Sequence, residues 1–351
     1  MSLFKVIDSL VEERGLDKSV LTDIVCEGML AAYKKKYPDL ELRVVYDEKV
    51  DAPLLEVEKE VVATVEDEDC QVSVRKAKAV DKKLELGNKL WLPFEGAIGR
   101  IEILRAKQFI ASRIRDIESS AICAEFKDKE GTLVQGIVHK CERSGVVVKI
   151  QEYLAFLPKS LSIPGEKYNV GFPVRALLKE VLEVPRNENQ LILDRSSEDF
   201  LRQLFELEVP EIFEKLVDIK KIVRTAGYKS KVAVISNDSN IDPVGTCVGV
   251  GGVRIKPILK ELGTEKVDII AWTDTLETLV KDSLKPAEIN RVEISYDKRA
   301  ARVWLDEDQR SLAIGKMGQN IALALRLTGV AIELVQTEHR EDLDQRLSEE
   351  F

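Results

Sequence analysis

No stretch of the sequence approaches the ~20 consecutive apolar residues of a membrane-spanning helix, so no membrane partner is expected. The opening MSLFKVIDSLVEERG lacks the basic start and apolar centre of a secretory signal, which points to a chain that stays in the cytoplasm. Histidine is nearly absent, with only His139 and His339. The five cysteines (Cys26, Cys70, Cys123, Cys141, Cys247) are scattered and form no CxxC pair. A zinc site is therefore not expected, and neither is any other metal or cofactor. Scattered thiols fit a reducing compartment. Residues 1 to 100 contain no arrangement that resembles a catalytic constellation.

An excess of positive charge is also missing. Sixty-two acids against 53 bases leave a net charge of −9, which taken alone argues against nucleic acid. The distribution reverses that argument locally. Residues 219 to 260 carry Lys220, Lys221, Arg224, Lys229, Lys231, Arg254, Lys256 and Lys260 against Asp238 and Asp242, a local excess of +6. Phosphate responds to this local field rather than to the total. Residues 1 to 100 are the opposite, with 16 bases and 21 acids.

What is present is a stretch that occurs twice. CVGVGGVRIKPILKEL runs from Cys247 to Leu262, and LAIGKMGQNIALALRL runs from Leu312 to Leu327. Each holds a GxxG tetrapeptide, Gly249-Val250-Gly251-Gly252 and Gly315-Lys316-Met317-Gly318, and the two start 66 residues apart. Ile255 then aligns with Ile321, and Leu259 with Leu325. Each loop opens an amphipathic helix and is followed by a strand-like run. The glycines let the backbone turn sharply and keep side chains from between main chain and phosphate. A helix start offers free N–H groups to an anion. The repeat resembles the KH domain, whose GxxG loop clamps single-stranded RNA. Asp242, Asp306 and Asp308 precede the loops, and helix capping accounts for them better than metal binding.

The rest of the chain divides by pattern. Helical spacing covers Leu3 to Val11 and Val20 to Met29, the second ending in Lys34-Lys35-Lys36 before Pro38. Strands are expected at Leu42–Tyr46 and from Leu54. EDEDC and KAKAVDKKLELG read as loop and short helix. A connector helix runs from Ile101 to about Phe126, with Ile103, Ala106, Ile110, Ile114 and Ile117 on one face. Residues 131 to 196 hold five short strand candidates separated by turn residues, which suggests an OB-type barrel. Gly136, Gly145, Leu157-Pro158, the Pro164–Tyr168 turn, Gly171 and the closing LILDRS resemble the S1-type member of that fold. Its Gly145–Val148 strand offers no aromatic for base stacking, and Phe156 and Phe172 read as core, so weak RNA binding is expected of the barrel. From Ser197 onward the order is helix, two strands, helix-loop-helix, strand, twice over.

Taken in sequence, these units resemble the NusA family of bacterial transcription elongation, termination and antitermination factors. The resemblance rests on LFELEVPEI, SNDSNIDPVGTCVGVGG, LKPAEI and AIGKMGQNIALALRLTG. It implies a multidomain α+β protein without enzymatic activity. The expected units are an N-terminal RNA-polymerase-binding α+β domain with its connector helix (1–126), an S1-type OB β-barrel (127–196), and two tandem bacterial-type (type II) KH domains (197–273 and 274–336). An acidic tail (337–351) follows. The implied partners are RNA polymerase near its RNA exit, the nascent single-stranded transcript and other elongation factors, with the protein acting as a monomer. Expected RNA contacts are Lys220, Lys221, Arg224, Gly249, Val250, Gly251, Gly252, Arg254 and Lys256 in the first copy. In the second they are Gly315, Lys316, Met317, Gly318, Gln319, Asn320 and Arg326. Gly251 stands where the family usually carries a basic residue, which should weaken the first clamp. The acidic repeats that follow the second KH domain in some members are not expected here. Two other readings remain open at this stage: a ribosome- or messenger-associated KH/S1 protein, and the accessory region of a phosphorolytic ribonuclease.

Overall fold

Where the hydrophobic period changes along the chain, the secondary structure changes with it. A computed structural model describes residues 18–47, 52–80, 83–96, 98–186, 189–297 and 299–336. The helix expected at Leu3–Val11 and the acidic tail lie outside the described residues. The chain divides into two compact units, one ending at Ile122 and one beginning at Cys123.

The first unit has α1 (Lys18–Lys36), β1 (Leu42–Asp47), β2 (Ala52–Val62), β3 (Gln71–Ser73), α2 (Val74–Val80), β4 (Lys89–Pro93) and most of α3 (Arg100–Phe126). Three lysines close α1, favourably placed against its dipole. β2 is the centre of the sheet: β1 and β4 pair with it antiparallel and β3 parallel. The short strands QVS and KLWLP went unread in the sequence. Each is too brief for period-two alternation to stand out, and only pairing with β2 defines them. Leu21 and Val25 of α1 pack with Ile110 and Ile114 of α3, as the helical face predicts. Ile103, assigned to the same face, is exposed.

The second unit begins with a closed barrel of β5 (Leu133–Cys141), β6 (Gly145–Ile150), β7 (Tyr153–Pro158), β8 (Pro173–Arg186) and β9 (Asn189–Asp194), in spatial order β5-β6-β7-β9-β8. All five expected strands are present, in an S1-like barrel. Gly145 is required there: a Cβ would sit 2.3 Å from the Leu157 carbonyl oxygen. One detail is corrected. Phe172 is 62% exposed rather than core, because it lies in the turn just before β8, while Phe156 is half-buried.

Two α+β modules follow. The first has α4 (Glu198–Glu208), α5 (Pro210–Phe213), β10 (Val217–Thr225), β11 (Lys229–Ser236), α6 (Pro243–Val248), α7 (Ile255–Leu262) and β12 (Lys266–Ala271). The second has α8 (Leu276–Ser283), β13 (Arg291–Ser295), β14 (Ala300–Leu305), α9 (Glu307–Ile314), α10 (Gln319–Thr328) and β15 (Ala331–Gln336). Ser197 caps α4 by accepting from the Phe200 N–H, and Asp242 caps α6 through the N–H groups of Val244 and Gly245. Each sheet pairs its first two strands antiparallel and the second with the third parallel. That is the bacterial-type KH topology expected from the element order.

Barrel and modules share cores. Ile163 and Leu177 of the barrel pack with Phe200, Leu204 and Val217 of the first module. Val223, Ala233 and Ile270 of the first module pack with Leu279, Leu323 and Leu327 of the second. Buried Arg195 bridges barrel and module: it donates to Glu166, to Glu261 at 2.6 Å and to the Arg175 carbonyl. Three sequence units are thus held as one body by apolar burial and a satisfied buried charge.

Candidate nucleic-acid interface

Both GxxG loops link two helices through a single 3₁₀ turn, Val250–Gly252 and Lys316–Gly318. Gly249 and Gly315 have almost the same backbone, φ 73, ψ 164 and φ 72, ψ 173. The third loop position is left-handed in both, Gly251 at φ 62 and Met317 at φ 55. That conformation suits glycine and opposes methionine. Gly251, read in the sequence only as a lost positive charge, thus also removes backbone strain. The tips project: Val250 is 96% and Met317 88% exposed. Apolar side chains so exposed contribute nothing to the core and leave the loop backbone open on that side.

The expected contact residues separate into two groups. Gly249, Val250, Gly251 and Gly252 form the first loop, and Lys256 lies alongside, its Cε about where a Gly252 Cβ would make contact. Gly315, Lys316, Met317 and Gly318 form the second. Lys256 and Lys316 are exposed and have no ion-pair partner among the described residues. Lys220 is exposed too, but it lines a hollow with Arg202, Phe213 and Lys215 rather than either loop.

The other expected contacts already make hydrogen bonds or ion pairs within the fold, although Arg326 stays exposed. Arg224 is 6% exposed and gives both Nε and Nη2 to Glu265, at 2.8 and 2.9 Å, and Nη1 to the Ser197 carbonyl. Glu265 also accepts from the Ser230 hydroxyl and the Gly227 N–H, so the buried carboxylate is fully satisfied. Lys221 donates to the Leu327 carbonyl at 2.9 Å. Arg254 donates to the Thr246 carbonyl and pairs with Glu211. Arg326 donates to the Arg224 carbonyl and to Glu198. Asn320 is buried and donates to the carbonyls of Leu284, Leu312 and Ala313. Gln319 accepts from the Thr225 hydroxyl.

The +6 window shrinks accordingly. Lys229 and Lys231 both pair with Asp268, and Arg224 with Glu265; those acids lie outside the 219–260 window. Burial lowers the affinity of the Lys231 amine for its proton, and Asp268 works against that shift. Cys247, just before the first loop, is buried, and desolvation pushes its thiol up to about 12, so it is packing rather than chemistry. Among the described residues no cluster of His, Cys, Asp or Glu could hold a metal ion, and no helix is long and apolar enough to cross a membrane.

Sequence reading missed what the β10–β11 hairpin tip touches. Tyr228 sends its hydroxyl to the Lys316 carbonyl at 3.4 Å, and Lys229 donates to Asn320 Oδ1 at 3.0 Å. These contacts span about 90 residues of chain, and no local period announces them.

Residues 195–272 match the NusA-like first KH domain and residues 276–342 the NusA-like second KH domain. Residues 2–120 match the NusA N-terminal domain. The transcription termination/antitermination protein NusA of Thermus thermophilus is 35% identical, over 98% of this chain and 92% of its own length. The proteins of the same name from Bacillus subtilis and Rickettsia conorii are 31% and 33% identical, covering 92% and 70% of their lengths. With three family domains in order and full-length relatives above 30% identity, the chain belongs to the NusA family of transcription termination/antitermination proteins, which are transcription factors and not enzymes.

Proposed function

We propose that the chain holds single-stranded RNA at both GxxG loops while its N-terminal residues, 1–126, dock on RNA polymerase near the RNA exit. The family implies interaction with polymerase and RNA; the assignment to particular segments is our reading. The observation that carries it is the pair of loops itself: matching backbone, exposed tips, and at each an exposed lysine with no ion-pair partner among the described residues. Each loop opens a helix, so the helix dipole and the positive charge of Lys256 or Lys316 beside it both favour a phosphate. Residues 1–100 are net acidic and would repel phosphate, which suits a protein-docking role. Anchoring on polymerase makes RNA capture effectively intramolecular, so a modest clamp suffices to modulate pausing, termination and antitermination in the cytoplasm.

The test is the full-length double variant Val250→Asp and Lys316→Asp. These positions are exposed, whereas aspartate at Gly251 would add backbone strain. Affinity for single-stranded RNA should fall at least about tenfold, from the two repulsive charges and one lost cation. The melting temperature and co-elution with core polymerase should be unchanged. Unaltered RNA affinity in the folded variant would reject the reading.

A further inference from the structure

The two loops are tied shut in the same way, but the ties are anchored in different places. In the first module, Arg254 reaches back across the loop and donates to the Thr246 carbonyl at 2.8 Å. In the second, Asn320 does so, with Nδ2 3.3 Å from the Leu312 carbonyl. Thr246 and Leu312 are 66 residues apart, as are Arg254 and Asn320, so the two ties are equivalent in the repeat. Each spans the tetrapeptide from the end of one helix to the start of the next. The second is so tight that a Cβ on Gly315 would lie 2.7 Å from that of Asn320.

The anchors differ. Arg254 is held by Glu211, in α5 of its own module, at 2.8 Å. Asn320 is held by Lys229, from β11 of the other module, at 3.0 Å. Lys229 is held in turn by Asp268 at 2.7 Å. The orientation of the Asn320 amide follows from chemistry. Lys229 can only donate, and the carbonyls of Leu284, Leu312 and Ala313 can only accept, so the oxygen must face the lysine. Asn320 is buried, so its oxygen has no water to replace that donor.

We infer that Lys229 is a positioning residue for the second loop: it locks the Asn320 tie from the neighbouring module, so the second clamp is shaped by the first KH domain while the first clamp is self-contained. Its relevance to RNA rests on the proposed function; the positioning itself does not. The first module's hairpin tip brings a second contact to the same place, the Tyr228 hydroxyl at the Lys316 carbonyl. No equivalent contact from the second module to the first loop exists among the described residues.

The experiment is amide hydrogen exchange on full-length Lys229→Met, followed at Gly315 and Gly318 and at their counterparts Gly249 and Gly252. In the parent protein these N–H groups donate to Ser311, Gly315, Gly245 and Gly249 carbonyls. Exchange at Gly315 and Gly318 should quicken at least about tenfold, the loss expected for a charged hydrogen bond, while Gly249 and Gly252 stay unchanged. Lys229→Arg, which restores a donor of sufficient reach, should recover most of the protection. Glu211→Gln should show the mirror pattern. A thiouridine-substituted oligouridylate should then cross-link less to the second loop of Lys229→Met and as before to the first. Unchanged exchange at Gly315 and Gly318, or an equal rise at both loops, overturns the inference. If Lys229→Met does not fold, Lys229→Gln, too short to reach Asn320, decides by the same criterion. If the parent protein cross-links at neither loop, the RNA reading fails, while the exchange result still decides the positioning.

Discussion

The first and second KH domains reach the same loop backbone by different means. The first uses glycine where the chain must turn left-handed; the second forces Met317 into that conformation. The first ties its loop with its own arginine and glutamate; the second borrows a lysine. The first has no charge within the tetrapeptide and relies on Lys256 beside it; the second carries Lys316 in it. A shared backbone is thus no guarantee of a shared origin for its stability. Where local preference agrees with the loop, internal contacts suffice. Where it does not, packing against a neighbour must hold it.

The comparison breaks most severely if the buried ion pair that frames the first module fails. Arg224→Met should destabilise the protein by about 3–5 kcal/mol, because it leaves Glu265 buried with its charged partner gone. Equilibrium urea unfolding would measure this, and a loss below about 1 kcal/mol would mean that the pair is solvated, since exposed pairs are worth no more than that.

A smaller effect sharpens the difference at the third loop position. Gly251→Ala should cost about 1–2 kcal/mol, since a Cβ disfavours its left-handed backbone although nothing lies near enough to clash. The reverse change, Met317→Gly, should gain up to about 1 kcal/mol, part of it offset by the greater freedom of glycine in the unfolded chain. Thermal unfolding of the two variants should therefore move in opposite directions.

Charge separates the loops next. Lys316→Ala should flatten the salt dependence of RNA binding by roughly 0.7 on a log-log plot, the value of one neutralised phosphate on a single strand. Lys256→Ala should do the same at the first loop, whereas Lys231→Met should leave the slope unchanged, because Lys231 is buried against Asp268. Fluorescence titrations across a salt series would read all three. The smallest effect is chemical. Cys141 is exposed and Cys247 is buried with its thiol held near 12, so a maleimide at neutral pH should label Cys141 readily and Cys247 only after unfolding.

Much of the architecture is legible in the sequence. The five barrel strands, the helix and two strands that open each module and both helix-loop-helix units followed from hydrophobic period and turn residues, which are local properties. QVS and KLWLP escaped because strands of three and five residues are defined by their partners. The candidate interface was half legible. Loop glycines and their tips could be read directly, but basic residues counted as phosphate contacts turned out to be divided between solvent and interior.

The physical reason lies in sequence distance. Spacing within the chain determined the repeat, the Asp242 helix cap, the left-handed turn at Gly251 and the placement of Val250, Lys316 and Met317 at loop tips. Each of those depends on neighbours a few residues away. Tertiary structure alone decided which cations stay free. Arg224 meets Glu265 across 41 residues, Lys231 meets Asp268 across 37, and Lys229 meets Asn320 across 91. A charge counted along the chain carries no mark of the partner that folding will bring to it, and burial then makes that partner obligatory.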